Sequence, residues 1–114
     1  MNILFVDDED VIRNSCALAL EKEGHKVWTA KNGLEAIFIF ENNPSINCIV
    51  LDLTMPRLAG YDTFLELRKI NSTVKIILIS GYDVDMVALR HKELNYYSYL
   101  QKPFSIERLL IEIG

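Results

Sequence analysis

The residues with the most chemistry in this 114-residue chain stand at the ends of four apolar runs. Phe5-Val6 leads into Asp7-Asp8, Ile49-Val50-Leu51 into Asp52, Ile76-Ile77-Leu78-Ile79 into Ser80-Gly81, and Leu100-Gln101 into Lys102-Pro103-Phe104. If these runs are parallel strands of one sheet, all four endings emerge at one edge and share a pocket. Two carboxylates about 4 Å apart repel by roughly 1 kcal/mol in water-like surroundings and by about 4 kcal/mol at an effective dielectric of about 20. Asp7, Asp8 and Asp52 with the single cation Lys102 stay net negative, so a divalent cation is expected among them. Oxygen ligands and a partly hydrated octahedral shell suit magnesium better than zinc. Lys102, the Ser80 hydroxyl and the backbone amide of Gly81 offer what a phosphoryl group needs: a cation, a donor, and an amide open to close approach because glycine has no side chain. A carboxylate attacks phosphorus only when the charge on the phosphoryl oxygens is neutralised, as a metal and Lys102 would do.

Each feature has a plainer reading by itself. An acidic run at residues 7–10 favours the positive end of a following helix, and that accounts for Glu9 and Asp10, which need no other role. Ser80-Gly81 is an ordinary turn pair, and a lysine before a proline marks many loops. Asp52 resists such a reading, because a carboxylate after so apolar a run is costly unless compensated. The convergence of the four endings carries the argument.

The elements that must position these groups alternate in period. Residues 2–6 read as a strand buried on both faces. Residues 9–23 carry Val11, Ile12, Cys16, Leu18, Ala19 and Leu20 at helical spacing, closed by Gly24 as a left-handed C-cap. Residues 26–30 read as a more polar strand near an edge. Asn32 to Glu35 resembles a capping box opening a helix that ends near Asn43-Pro44. Further strands are expected at 48–51, 74–79 and 97–100. A helix starts near Gly60 with Phe64, Leu65, Leu67 and Ile70 inward; others are expected over about 84–93 and from Ser105 to the end. Short alternation of this kind implies a doubly wound α/β fold, a five-stranded parallel sheet flanked by five helices in one domain over 1–114, and its order is taken as the flavodoxin-like 2-1-3-4-5. In that order the switch point lies between strands one and three, where ligands of such sheets bind, and these strands end in Asp7-Asp8 and Asp52.

Composition narrows the class. Half the residues are hydrophobic and a quarter charged, as in ordinary globular domains. No apolar stretch approaches the roughly 18 residues that would suggest a membrane span, and Met1 runs straight into a strand pattern, so neither membrane insertion nor a signal peptide is expected. A net charge of −4 argues against direct nucleic-acid binding. Cys16 and Cys48 fit buried apolar positions in a reducing cytoplasm, and no CxxC or HxxxH pairing points to zinc. His25 and His91 stand apart beside surface-type residues and are poor catalytic candidates.

Taken together, Asp7-Asp8, Asp52, Met55-Pro56 with Gly60, Ser80-Gly81 and Lys102-Pro103-Phe104 closely resemble the receiver domain of two-component response regulators, the CheY-like branch of the flavodoxin-like folds, over essentially the whole chain. The resemblance implies that Asp52 is the phosphoacceptor, and that Asp8, Asp52 and the backbone carbonyl of Thr54 bind magnesium, with Asp7 acting through a bound water. Lys102 would pair with a phosphoryl oxygen and Ser80 would hydrogen-bond it after transfer. Ser80 and Tyr99 would form the switch that repacks the surface of the fourth helix, fifth strand and fifth helix for an output partner. The Lys102-Pro103 peptide is expected to be cis. The donor would be a phosphohistidine on a sensor histidine kinase or a histidine phosphotransfer protein, and the protein a cytoplasmic signalling switch that assists its own phosphorylation and dephosphorylation. A free-standing regulator and a receiver cut from a hybrid kinase or larger regulator both fit.

Two departures stand out. Asn95-Tyr96 replaces the family's usual Gly-Ala pair before strand five, which bears on the fourth helix and the output face; the tyrosines at 96, 97 and 99 make an aromatic partner surface, or one of them fills the core. Tyr82, with Thr54, would shield an acyl phosphate from water. The rival readings fare worse. An aspartyl-phosphate phosphatase of the haloacid dehalogenase type wants a second carboxylate at position 54, which is threonine. A flavodoxin-like nucleotide module wants a neutral loop where Asp7-Asp8-Glu9-Asp10 stands. An unphosphorylated docking module would not need the intact acidic set.

Overall fold

The apolar runs are continuous because both faces of the sheet are covered. Leu4, Val6, Ile49, Leu51, Ile76 and Leu78 point into one cluster, while Ile3, Phe5, Cys48, Val50, Ile77 and Ile79 point into the other. The computed structural model describes residues 1–53, 60–81 and 96–114. Five parallel strands, β1 (Asn2–Val6), β2 (Lys26–Ala30), β3 (Cys48–Asp52), β4 (Lys75–Ser80) and β5 (Ser98–Gln101), lie in the order β2-β1-β3-β4-β5. The described helices are α1 (Asp10–Lys22), α2 (Gly33–Asn42), α3 (Gly60–Ile70) and α4 (Ile106–Ile113). The helix expected over 84–93 lies outside the described residues, as do Thr54, Met55, Pro56, Tyr82, His91 and Asn95.

α1 and α4 cover one face through Cys16, Leu20, Leu109 and Ile113, and α2 and α3 cover the other through Ala36, Phe40, Phe64 and Leu67. α1 stops at a Schellman arrangement: Gly24 has φ of +90°, its amide donates to the Glu21 carbonyl, and the His25 amide donates to the Leu20 carbonyl. Asn32 caps α2 by accepting from the Glu35 amide at 2.8 Å, while the Glu35 side chain reaches back to the Lys31 amide. Ser105 caps α4 through the Arg108 amide.

The inward face of α3 differs from expectation. Phe64 and Leu67 are buried, but Leu65 and Ile70 are about two-fifths exposed, and Thr63 is fully buried instead. At 100° per residue Thr63 and Leu67 share a line and Leu65 points almost opposite to it. Ile70 falls near that line but at the last residue of the helix. No helix among the described residues is long and apolar enough to cross a membrane.

Candidate functional site

The sheet ladder carries straight into the site. The Asp7 amide donates to the Ala30 carbonyl (3.1 Å), the Leu53 amide to Ile79 (2.9 Å), and the Lys102 amide to Ser80 (2.7 Å). β1 and β3 pair through Val6 and Leu51, so the next residues, Asp7 and Asp52, leave adjacent strands side by side. Asp7 and Asp52 are completely buried, whereas Asp8 and Glu9 are exposed.

Lys102 spans the group. Its ammonium lies 3.0 Å from Asp7 Oδ2, 3.1 Å from Asp52 Oδ2 and 2.9 Å from Glu9 Oε1. Burial pulls the lysine toward the neutral form, but the three carboxylates outweigh it and hold its pKa above the usual value. Asp7 moves the other way. Burial raises its carboxyl, aided by the neighbouring Asp52 charge, against the Glu9 amide hydrogen bond and Lys102. Asp7 Oδ1 accepts that amide at 2.8 Å, but the buried Oδ2 accepts no hydrogen bond; its contact with the ammonium is ionic without hydrogen-bond alignment.

That buried, incompletely satisfied oxygen tests the expected metal. Asp7, Asp8, Glu9 and Asp52 each bring a carboxylate oxygen, all within 4.8 Å of one another. Hard oxygen donors gathered around a buried carboxylate oxygen that has an ionic contact but no aligned hydrogen bond fit a magnesium-sized cation. Lys102 compensates only one of these four charges.

Ser80, at the end of β4, is fully buried. Gly81 is exposed, and a Cβ built there would meet nothing within 4 Å, so the protein's own packing does not demand a glycine. Tyr99 pairs with Leu78 across β4 and β5 and packs, partly buried, against the α2/α3 cluster. Since side chains two apart share a face, Ser80 and Tyr99 lie on the same side of the sheet. Tyr96 joins that cluster, while Tyr97 is exposed. The Lys102-Pro103 peptide is cis.

Two participants escaped the sequence reading. Glu9, assigned there only to a helix terminus, is the N-cap of α1 yet makes no side-chain cap, because its carboxylate reaches Lys102. Arg13 donates to the Asp7 carbonyl at 2.8 Å and pairs with Asp10, tying the first turn of α1 to the β1 ending. The Asp10–Arg13 spacing was a readable signal; the Glu9–Lys102 contact crosses 93 positions and had none. Beside the site opens an apolar cleft of about 480 Å³, lined by Glu9, Val11, Ile12, Lys102, Phe104 and Ile106 among others. The Cys16 and Cys48 thiols are buried and pushed up to about 11, which makes them inert hydrophobes.

A family model described as the response regulator receiver domain matches residues 3–113. The sensor kinase CckA of Brucella abortus is 35% identical over 108 residues, covering 94% of this chain and 11% of the kinase. The response regulator SaeR of Staphylococcus aureus is 33% identical over 113 residues, covering 99% of this chain and 49% of that protein. The chain therefore spans about half or less of the length of these curated relatives. A solved receiver domain protein from Clostridium thermocellum is similar with a TM-score of 0.88 at 34% identity, covering 98% of this chain and 90% of that one.

Proposed function

Because this chain belongs to the response regulator receiver family, we propose that it is the phosphoacceptor of a two-component relay, with Asp52 accepting a phosphoryl group from the phosphohistidine of a sensor kinase or histidine phosphotransfer protein. The observation that carries this reading is the single ammonium of Lys102 held within 3.1 Å of two fully buried carboxylates on neighbouring strands. Two carboxylates out of water with one ammonium between them keep a net negative charge, which is unfavourable for folding alone. It becomes useful when a cation and an anionic group arrive together.

Asp8 and Asp52, with the Thr54 carbonyl, would hold magnesium, and Asp7 would act through a water; the metal when bound neutralises charge on the oxygens of the incoming group. The Asp52 carboxylate attacks phosphorus, the donor nitrogen leaves, and the phosphoryl group ends on a carboxylate oxygen. Lys102 then exchanges a carboxylate partner for a phosphoryl oxygen. Ser80 supplies a hydroxyl from β4, and the Gly81 amide lies at the exposed rim where the group enters. Ser80 and Tyr99, on one face of the sheet, are the pair whose rearrangement would carry the change to the β5 and α4 surface and its output partner. The apolar cleft shares Glu9 and Lys102 with the site, which supports it as the seat of the phosphodonor protein. The molecule acts as a switch and turns over no metabolite.

The test is incubation with magnesium and a small acyl phosphate, followed by intact mass measurement. Wild type is expected to gain one phosphate and Asp52→Asn none. No gain with several donors would leave only a docking module, and an equal gain in the variant would move the acceptor elsewhere.

A further inference from the structure

α2 is apolar beyond what the core requires. Of its ten residues only Glu35, Glu41 and Asn42 are polar. Ala36 and Phe40 are buried, and Ile37 and Ile39 pack partly against the same cluster. Leu34 and Phe38 do neither: they are 63% and 68% exposed, four residues apart, and form one outward ridge. Single exposed apolar residues are commonplace, but a leucine and a phenylalanine stacked on one helix face make a continuous surface.

The charges flanking the ridge indicate its occupant. Lys31, one residue before the N-cap, and Glu41, in the last turn, are both exposed, and among the described residues neither has an ion-pair partner. The positions are symmetric about residue 36: Leu34 and Phe38 lie two places to either side, and Lys31 and Glu41 five. Turned antiparallel about a two-fold axis at residue 36, the ridge meets a copy of itself so that leucine faces phenylalanine and lysine faces glutamate at both ends. This self-complementarity is what an isologous contact requires.

We infer that the outer face of α2 is a self-association surface on which two copies of this chain pair antiparallel, Leu34 against Phe38 and Lys31 against Glu41. A ridge on a ten-residue helix buries less than the roughly 1,200 Å² typical of stable interfaces, so the dimer is weak, with Kd on the order of 100 µM. It does not depend on the phosphoryl reading, and pairing is expected with or without a phosphate.

Sedimentation velocity from about 10 µM to about 1 mM protein, a span bracketing that Kd, tests it. Wild type should move from monomer to dimer across the range. Phe38→Asp should weaken pairing at least about tenfold, as loss of a central aromatic anchor does. Lys31→Glu and Glu41→Lys alone, each setting like charges opposite each other twice, should weaken it about threefold or more, and the double swap should return it to within about twofold of wild type. Each replaced side chain is exposed, and a wild-type circular dichroism spectrum confirms that the variants are folded. The swap needs only relative affinities of folded chains. Wild type monomeric throughout would overturn the inference and leave the ridge to a different partner. Phe38→Asp pairing as strongly as wild type, or a double swap no better than its parents, would overturn it too.

Discussion

At the carboxyl ends of the strands the Lys102 ammonium lies within 3.1 Å of three carboxylates; at the amino ends the Lys75 ammonium donates to the Ile113 carbonyl at 2.8 Å and sits 3.9 Å from the centre of the Tyr97 ring. At the amino end cations meet neutral acceptors: the Arg68 guanidinium donates to the Val74 carbonyl at 2.6 Å, and the Met1 ammonium lies 2.8 Å from His25 Nδ1. Asn2 exchanges hydrogen bonds with Asn47 and the Ser45 carbonyl there, and Lys75 ties the end of α4 to β4. Among the described residues the carboxyl end holds two buried carboxylates and two exposed ones against the Lys102 ammonium. One rim staples the fold, while the other holds negative charge that, on the proposed function, a bound cation would balance as the phosphoryl group arrives. The same residue type serves both, and the count of opposing charges decides which task it performs.

The sharpest way to break this contrast is Lys102→Ala. Loss of the fixed cation should slow phosphorylation by a small acyl phosphate about 100-fold or more, read from an intact-mass time course. It also takes the ammonium away from the buried Asp7 and Asp52 carboxylates, at a cost of about 3 kcal/mol in magnesium-free urea unfolding. A near-normal rate would mean that the charge imbalance is not used in transfer.

Asp7→Asn should weaken magnesium binding about 10- to 100-fold, measured by titration calorimetry, while stabilising the metal-free fold. Burial, with the Asp52 charge, raises the Asp7 carboxyl above its usual 3.8. A group raised in this way contributes its full stability below 3.8 and loses it as pH rises through the folded-state value. In magnesium-free buffer the wild type should therefore gain stability from Asp7 as pH falls from neutral toward 3.8, and Asp7→Asn should lack that rise. Identical pH profiles would show that Asp7 is not held out of balance.

Glu9→Gln should have a smaller effect. An exposed pair is worth about 0.2–1 kcal/mol, so freeing Lys102 from Glu9 should speed phosphorylation by up to about fivefold. A slower variant would make Glu9 a contributor rather than a competitor. At the other rim Lys75→Ala should leave phosphorylation unchanged and cost about 1 kcal/mol in urea unfolding, the worth of one hydrogen bond and an exposed cation–ring contact. Any change in phosphorylation there would erase the contrast between the rims.

Much of the fold was legible because its causes are local. Continuous apolar runs marked strands covered on both faces, Gly24 and Asn32 marked helix ends by their backbone chemistry, and short alternation with right-handed crossovers left a doubly wound sheet, whose expected order β2-β1-β3-β4-β5 is the one observed. The inner side of α3 was read less well. Periodicity gives the direction of a face but not its width or where the covering layer ends, and so the apolar Leu65 and Ile70 stay about two-fifths exposed while the polar Thr63 is buried.

From the order of residues alone came the element types, the sheet order, and the candidate pocket of Asp7, Asp8, Asp52, Ser80 and Lys102, because each of these follows a strand whose parallel direction is set by its crossovers. Tertiary structure alone decided which carboxylate Lys102 shares with the buried pair, why α1 begins without a side-chain cap, and which apolar residues of α2 the core leaves in water. Those outcomes depend on distances between side chains that the backbone brings together across tens of residues, and no local pattern encodes them.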